Sequence, residues 1–258
     1  MKIRFLGTGT STGVPSLLCD CKVCRSTDSR DHRQRCSALV TADNGANLLI
    51  DCGPDFYQQM LAAGSPPIDA LLVTHHHYDH VGGVDDLRPY CHHRPADAGN
   101  FPIYALPEVM DDIHRRMPYC FGEHLYPGVP TFDLHTIGGT RSFEAAGVEV
   151  TPLPVIHGPA QITGFRIGPL GYITDCSTLP EESREILKGV DTLVINALRI
   201  KPHPSHMNLQ ESLAVIAEIK PRQALLIHMS HDIGLHAEID AALPQGVCLA
   251  YDGLELKI

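Results

Sequence analysis

The sequence lacks any uninterrupted apolar run of 18 or more residues, so it contains no segment long enough to cross a bilayer as a helix. Residues 1–7 are expected to form a strand and not a signal peptide, because their apolar run is short and no small-residue cleavage site follows it. We therefore expect a cytoplasmic protein that makes no contact with a membrane.

Basic residues are in the minority, with 20 Lys and Arg against 30 Asp and Glu and a formal net charge of −10. Nucleic-acid-binding proteins normally present a basic face, so this charge argues against nucleic acid as a partner.

A low-complexity linker is also absent from the sequence. We therefore predict one domain over residues 1–258, built from two similar α/β halves.

The nine cysteines are an odd number, which suits thiols and metal ligands better than a disulfide framework. Cys19, Cys21 and Cys24 fall within six residues. This is the compact spacing of a structural zinc knuckle that lacks its fourth ligand. Redox-active or incidental thiols are the alternative.

The densest polar cluster directly follows the apolar run 70–73, which predicts a buried strand. Within six residues it contains His75, His77, Asp79 and His80. Imidazole suits zinc, iron or manganese, and a carboxylate adds a hard oxygen ligand. Four such groups on one turn cannot all reach one tetrahedral ion, so the spacing favours two ligands for each of two neighbouring ions. Solvated loop histidines are the alternative.

Three later apolar runs each end in another candidate ligand, namely His157, Asp175 and His228. A metal site at one rim of a sheet requires this repetition of a buried strand followed by a ligand. For either histidine alone, a hydrogen-bonded core position is the alternative.

The His-x-His-x-Asp-His stretch after an apolar strand resembles the metal-binding motif of the metallo-β-lactamase superfamily, and the resemblance extends along nearly the whole chain. It implies an α/β fold of the four-layer αββα sandwich type and two divalent ions, zinc or manganese, with a bridging hydroxide as nucleophile. It also implies that Asp51 braces the histidine loop. The implied ligands are His75, His77 and His157 for one ion, Asp79, His80 and His228 for the other, and Asp175 as the bridge.

A second resemblance narrows the branch of the superfamily. His231, three residues past His228, is similar in position to the fourth ligand of an extra zinc site in the PhnP-type phosphodiesterases, which open cyclic ribosyl phosphates. This implies a structural zinc held by Cys19, Cys21, Cys24 and His231. It also implies that His206 contacts the phosphate and protonates the leaving alkoxide, with His203 as the reserve. Asp79 and His206 are the expected catalytic residues.

Arg88 is a further candidate for phosphate contact, because its guanidinium fork matches phosphate oxygens. A surface salt bridge is the alternative. Residues 88–135 are predicted to be largely irregular, apart from a strand at 103–104 and a helix near 107–117. Loops on a rigid scaffold often select substrate. The candidates for this role in that segment are His92, His93, His124 and Tyr126.

These features together predict a metal-dependent phosphodiesterase for a small phosphodiester, expected to be cyclic. A tRNA 3′-processing nuclease is the runner-up, although the acidic charge and the lack of a His-Glu-Ala-Thr-like motif near residues 196–198 argue against it. A metal-binding or cofactor-handling protein without turnover is the third alternative. A homodimer is compatible with the sequence. Residues 191–198 lack the Ser-His-Pro-Pro-like stretch expected in close relatives, which leaves the substrate open.

Overall fold

A computed structural model describes residues 1–122 and 125–258, and within these ranges the chain forms two seven-stranded sheets. In spatial order, with strands numbered along the chain, the first sheet contains β14 (Glu255–Lys257), β1 (Lys2–Gly7), β2 (Ser37–Thr41), β3 (Asn47–Ile50), β4 (Ala70–Leu72), β5 (Phe101–Ala105) and β6 (Phe132–Thr136). The second contains β13 (Val247–Leu249), β12 (Gln223–Ile227), β11 (Thr192–Asn196), β10 (Leu170–Ile173), β9 (Ala160–Ile167), β8 (Val148–His157) and β7 (Phe143–Ala145).

Helices cover the outer face of each sheet. They are α1 (Phe56–Ala62), α2 (Tyr78–Val81), α3 (Arg88–His92), α4 (Pro107–Arg116), α5 (Glu181–Leu187), α6 (Leu209–Ile219) and α7 (His236–Asp240). None of the helices in the described ranges is long and apolar enough to cross a membrane.

In chain order, each sheet starts with antiparallel neighbours and continues with parallel ones. In the first, β1, β2 and β3 are antiparallel, and β3 to β6 are parallel. In the second, β7 to β10 are antiparallel, and β10 to β13 are parallel. Parallel neighbours require crossover connections, which the helices supply. The predicted four-layer αββα sandwich is thereby confirmed.

Successive side chains of a strand point to opposite faces of its sheet, so each strand contributes to two separate parts of the core. In β3, Leu48 and Ile50 are fully buried and pack between the two sheets. Leu49, which points the other way, packs with Phe56 and Met60 of α1. On the far side of the second sheet, an equivalent outer layer includes Leu226 of β12 and residues of α6. The two sheets therefore share an inner core and are covered by an outer one on each side.

Local sequence signals account for several element ends. Asn208 with Glu211 three residues later, at the start of an amphipathic stretch, predicts a capping box, and Asn208 caps α6 in this way. The dipeptide Asn44-Gly45 predicts a hairpin turn, and Gly45 lies between β2 and β3 at a φ of 88°. The predicted irregular segment 88–135 is the main difference, since it also contains α3 and β6. β6 lies at the edge of its sheet, and its mixed polar sequence gave no clear strand pattern.

Candidate metal centre

The histidine cluster lies in the loop between β4 and β5. His77 occupies the N-cap position of α2, which places Asp79 and His80 in the first turn of that helix. His75, Asp79 and His80 are buried, whereas the side chain of His77 is exposed. A short strand followed at once by a short helix therefore directs all four groups to one rim of the sandwich.

Asp51, directly after β3, braces this loop as the family resemblance implied. Its carboxylate accepts hydrogen bonds from the Thr74 backbone N–H at 2.8 Å and the Thr74 hydroxyl at 2.9 Å. It also accepts one from His80 Nδ1 at 2.7 Å. The Thr74 oxygen lies 3.0 Å from His75 Nδ1 and accepts its proton. Both rings therefore carry hydrogen on Nδ1 and keep the lone pair of Nε2 available.

Two glycines permit this close packing. A Cβ added at Gly53 would lie 2.0 Å from the backbone oxygen of Asp79, and one at Gly83 would lie 2.1 Å from the Gly53 oxygen. The crossing is also hydrogen bonded, since Cys52 N–H donates to the His80 carbonyl at 2.8 Å. Glycine is therefore required where the end of β3 contacts α2.

Asp175 lies at the centre of the candidate site. Its Oδ1 is 3.3 Å from His80 Nε2 and 3.1 Å from His228 Nδ1. Its Oδ2 is 3.8 Å from His75 Nε2 and 3.2 Å from His206 Nε2. The two oxygens of one carboxylate therefore face two different sets of histidines.

The potential ligand atoms form two compact sets, each with its members within 4.8 Å of one another. The first set is His75, His77 and His157, and the second is Asp79, His80, Asp175 and His228. The structure thus brings together every side chain that the sequence assigned to the two ions. Their role as ligands stays a prediction.

The fit to cations rests on polar atoms that are buried without a protein partner. Within residues 1–122 and 125–258, His75 Nε2, His80 Nε2 and His228 Nδ1 accept or donate no hydrogen bond. Leaving such groups unsatisfied costs about 1–3 kcal/mol each, unless a ligand occupies the space between them. All three point toward Asp175, as required for binding a divalent ion.

Electrostatics also favour positive charge at this position. Burial alone would lower the pKa of His80, but the Asp175, Asp79 and Asp51 carboxylates outweigh it and raise that pKa well above its ordinary value. Burial lowers the pKa of His228 to about 4 and keeps its ring neutral, as metal binding requires. The carboxylates around His80 thus favour positive charge at this position, and a bound cation would take the place of the proton on His80 Nε2.

Three residues of the site have unusual backbone conformations. Asp51, Asp175 and His228 have φ values of 61°, 54° and 55°. Each follows a core strand at the same rim. The left-handed region costs a non-glycine residue about 1 kcal/mol or more. The surrounding hydrogen bonds and packing therefore hold these three side chains against local preference.

The predicted zinc knuckle is also assembled. His231 Nδ1 lies 3.1, 3.3 and 3.6 Å from the sulfur atoms of Cys19, Cys21 and Cys24. The pKa of Cys21 is lowered to about 6, mainly by the backbone N–H of Cys24 and further by His231. Four soft donors around one point fit a tetrahedral zinc ion.

The candidate substrate residues are divided between two places. His206 lies at the site, and His203 lies behind it, with their Nδ1 atoms 3.2 Å apart. Arg88 instead donates to Asp85 at 3.0 Å and to the Gly128 carbonyl at 3.0 Å. These contacts favour the salt-bridge alternative for Arg88.

The other candidates in the 88–135 segment are not brought to the two sets of ligand atoms. His93 lines a cavity of about 480 Å³ between α1 and α3, whose described lining includes none of the predicted ligands. His92 is exposed, and Tyr126 stacks on Tyr119. His124 lies outside the described residues.

Sequence reasoning missed three residues that support the site. Thr10 Oγ1 lies 3.2 Å from His228 Nε2. The Asn196 side chain bonds both backbone groups of Cys176, next to Asp175. The Ser205 carbonyl accepts from His157 Nδ1 at 2.8 Å. Of the three, only Thr10 lies in a stretch with a sequence signal, because Gly7, Gly9 and Gly13 indicate a backbone that passes close to another group.

Comparison with known proteins gives the family. Residues 46–229 match the model of the β-lactamase superfamily domain, and this range contains all seven side chains of the two sets. The chain therefore belongs to the metallo-β-lactamase superfamily. The family resemblance inferred from the sequence is confirmed.

Within the superfamily the chain is of the PhnP type. It is 39% identical to a diphosphatase from the PhnP family, with a TM-score of 0.91, and the match covers 99% of this chain and 96% of that one. It also shares the fold of zinc-bound PqqB from Methylobacterium extorquens, at 22% identity and a TM-score of 0.81, with both chains covered completely.

A third relative is longer than this chain. An octanoyltransferase from Porphyromonas gingivalis is 43% identical over 259 residues, which span 100% of this chain and 52% of that protein. The chain thus spans about half the length of this relative.

Proposed function

We propose that the protein hydrolyses a small phosphodiester with the help of two divalent cations. The observation that carries this proposal is the position of Asp175, whose two carboxylate oxygens face the two sets of candidate ligands. Together with the histidines of both sets and Asp79, Asp175 would hold two cations, which supply the chemistry of two-metal hydrolysis of phosphate esters.

When bound, the cations would supply Lewis-acid activation of a water molecule and neutralise phosphate charge. The chain's own residues orient the reacting groups around them. Asp51 and Thr74 fix the rings of His80 and His75, and Thr10 contacts the ring of His228. Because these contacts exist before substrate binds, little reorganisation is needed during the reaction.

His206 is the proposed proton donor. Its Nε2 faces the central carboxylate at 3.2 Å, on the side of the site that also holds His75 and His157. As the oxygen of the attacking water forms a bond to phosphorus, the P–O bond to the leaving group breaks and its electron pair stays on the leaving oxygen. That oxygen takes a proton from Nε2 of a His206 ring with hydrogen on both nitrogens, which leaves a neutral ring with hydrogen on Nδ1. An alkoxide leaves poorly without such protonation, and a general acid typically contributes about 100-fold or more.

A diphosphate is the second candidate substrate class. The PhnP-family relative with 39% identity is described as a diphosphatase, and the match covers nearly all of both chains. In a diphosphate that carries an organic group at each end, each phosphorus has one ester oxygen and one anhydride oxygen. Like the phosphorus of a diester, it therefore has two substituted oxygens. The same arrangement of side chains therefore suits attack on either substrate. A phosphate leaving group needs less protonation than an alkoxide, so the two classes should depend differently on His206.

The proposal is tested with bis(p-nitrophenyl) phosphate, a 2′,3′-cyclic nucleotide and a dinucleoside diphosphate, each with the zinc- or manganese-loaded protein. We expect hydrolysis of at least one of them, and Asp79→Asn should lower kcat/KM by roughly 100-fold or more, since even supporting residues of metal sites contribute about 10–100-fold. The matched control is Asp97→Asn, which removes an exposed carboxylate outside both sets of ligand atoms.

Three outcomes would contradict the proposal. Trimming of pre-tRNA with no action on small substrates would favour the nuclease alternative. Transfer or hydrolysis of an octanoyl thioester without phosphoester cleavage would relate the chain to the activity named for its longer relative. Equal rates for the wild-type protein and Asp79→Asn would exclude the proposed site.

A further inference from the structure

The loop 199–206 carries His206 and is anchored beside the central carboxylate. Leu198 N–H donates to the Met207 carbonyl at 3.0 Å and closes the loop. Met207 N–H in turn donates to the carbonyl of Cys176, the residue after Asp175, at 2.6 Å. Within the loop, the Arg199 guanidinium donates to the Pro202 carbonyl at 2.7 Å. The backbone of His206 is therefore fixed relative to Asp175.

A small hydrogen-bonded cluster lies on the far side of the His206 ring. His206 Nδ1 is 3.2 Å from His203 Nδ1, and the Ser205 hydroxyl lies 3.0 Å from the first nitrogen and 3.2 Å from the second. Two ring nitrogens at this separation attract each other only if one carries hydrogen and the other offers a lone pair. The cluster thus engages Nδ1 of His206 and leaves Nε2 facing Asp175.

Packing alone does not determine which nitrogen faces the site. The His206 ring stacks on His228 with centroids 5.0 Å apart and meets the edge of His157 at 4.7 Å. These contacts fix the plane of the ring, but they would be similar if the ring turned by half a rotation. Hydrogen bonds distinguish the two orientations, because the nitrogen atoms and ring carbons have similar size. Nδ1 contacts His203 and Ser205 on one side of the ring, and Nε2 contacts Asp175 on the other.

We propose that His203 is a positioning residue that, with the Ser205 hydroxyl, holds His206 so that Nε2 faces the leaving oxygen. This inference rests on the proposed function, in which His206 donates the proton. It predicts a specific dependence on the leaving group. Substrates that release an alkoxide need the oriented ring, whereas those that release p-nitrophenolate do not, because that anion leaves without protonation.

The experiment compares wild-type protein, His203→Ala, His203→Asn and Ser205→Ala, all loaded with zinc, on a 2′,3′-cyclic nucleotide and on bis(p-nitrophenyl) phosphate. For His203→Ala we expect kcat on the cyclic nucleotide to fall about 10–100-fold, a part of what general-acid catalysis contributes, with KM changed by less than about threefold. The rate on the p-nitrophenyl ester should change by less than about threefold, which also shows that the variant folds.

His203→Asn should restore part of the lost rate, because the amide oxygen can accept from His206 at the position of the His203 nitrogen. His114→Ala, which removes an exposed histidine of α4, is the matched control and should leave both rates unchanged. An equal loss on both substrates in His203→Ala, or no loss on either, would overturn the inference.

A measurement that does not depend on activity separates this inference from the proposed function. The ¹⁵N chemical shifts of His206 in the zinc-loaded protein should show hydrogen on Nδ1 in the neutral ring, and His203→Ala should shift the signals toward a mixture of tautomers. If the wild-type protein cleaves neither of these substrates nor the dinucleoside diphosphate, the proposed function fails and this measurement alone decides the role of His203. Unchanged shifts in His203→Ala would overturn it.

Discussion

At the scale of single residues, the candidate site depends on one carboxylate that contacts no predicted ion. Asp51 connects the backbone of Thr74 to the ring of His80, so a single side chain orients both ends of the histidine stretch. Burial raises the pKa of Asp51, and the hydrogen bonds from His80 and Thr74 oppose that effect. The groups that Asp51 orients therefore offset part of the cost of burying its charge.

Asp51→Asn tests this role. An amide has one acceptor oxygen where the carboxylate has two, so the variant must lose a hydrogen bond from either Thr74 or His80. We expect the affinity for zinc to fall about 10–100-fold, the usual cost of removing a group that orients a metal-binding histidine. Competition with a chromophoric chelator measures this affinity.

Asp55→Asn is the matched control, because Asp55 lies four residues away and pairs with Arg35 instead of a histidine. We expect its zinc affinity to match that of the wild-type protein. Equal affinities for all three proteins would show that Asp51 does not orient the histidines.

At the scale of elements, one short segment connects the two predicted kinds of metal site. His228 and His231 are three residues apart after β12, and Met229 between them is fully buried. Met229 N–H donates to the Thr8 carbonyl at 3.0 Å, and Thr10 N–H donates to the Met229 carbonyl at 3.1 Å. The predicted knuckle of Cys19, Cys21, Cys24 and His231 is therefore joined to the segment that positions His228 and, through Met229, to the loop whose Thr10 contacts that histidine.

Cys21→Ser tests whether the knuckle is a separate structural site. Elemental analysis of the wild-type protein should give close to three divalent ions per chain, and the variant should contain about one fewer. The midpoint of thermal unfolding should fall by at least about 4 °C, since a structural ion contributes folding free energy and 1 kcal/mol corresponds to about 2–4 °C in a chain of this size.

Cys91→Ser is the control, because Cys91 is also partly buried but lies outside the knuckle. Its metal content and midpoint should stay close to those of the wild-type protein. Equal zinc content in wild-type protein and Cys21→Ser would contradict a Cys₃His site.

The sequence predicted helices and strands best where the apolar pattern and the capping or turn residues indicated the same boundaries. The capping box of α6 and the turn at Gly45 are local features, and both are present as predicted. β6 and α3 within residues 88–135 were not predicted, because an edge strand and a short helix bury few side chains and so leave a weak periodic signal.

At the scale of the whole molecule, the C-terminal turn is connected to the N-terminal strands through one acid. Asp252 accepts hydrogen bonds from the Gln34 backbone N–H at 2.7 Å and from the Thr8 hydroxyl at 2.8 Å. Burial raises its pKa to about 7, although these two bonds and the charge of Arg33 act in the opposite direction.

This shift predicts a loss of stability as the pH rises. With a folded pKa near 7 and an unfolded value near 3.8, the folded chain binds more protons between these limits. The free energy of unfolding from this group therefore falls as the pH increases from about 4 to 7 and then levels off. Asp252→Asn should reduce the difference between pH 5 and pH 8 by about 1–2 kcal/mol, since one pKa unit corresponds to about 1.4 kcal/mol and partial exposure lessens the effect.

Urea unfolding of the metal-loaded proteins at both pH values measures this difference. Asp97→Asn removes an exposed acid for comparison. If the free energy of unfolding changes between pH 5 and pH 8 by the same amount in Asp252→Asn and in the wild-type protein, Asp252 is already ionised at pH 5.

The sequence by itself determined the chemistry of the two kinds of candidate site. The spacing of His75, His77, Asp79 and His80 and that of the three cysteines are local, and metal ligands are recognised by residue type and separation. The same holds for the rule that each later ligand follows a buried strand. These signals need no knowledge of the fold.

Only the tertiary structure decided how distant groups are used. The decisive contacts join residues that are far apart in the chain or lie on irregular loops. The two oxygens of Asp175 are directed to different histidines, and Thr10 contacts His228. Ser205 and His203 lie behind His206. Arg88, chosen by residue type alone, is instead bonded to Asp85 and Gly128. Orientation at a site arises from packing and hydrogen bonds across the whole molecule, and residue spacing along the chain does not encode it.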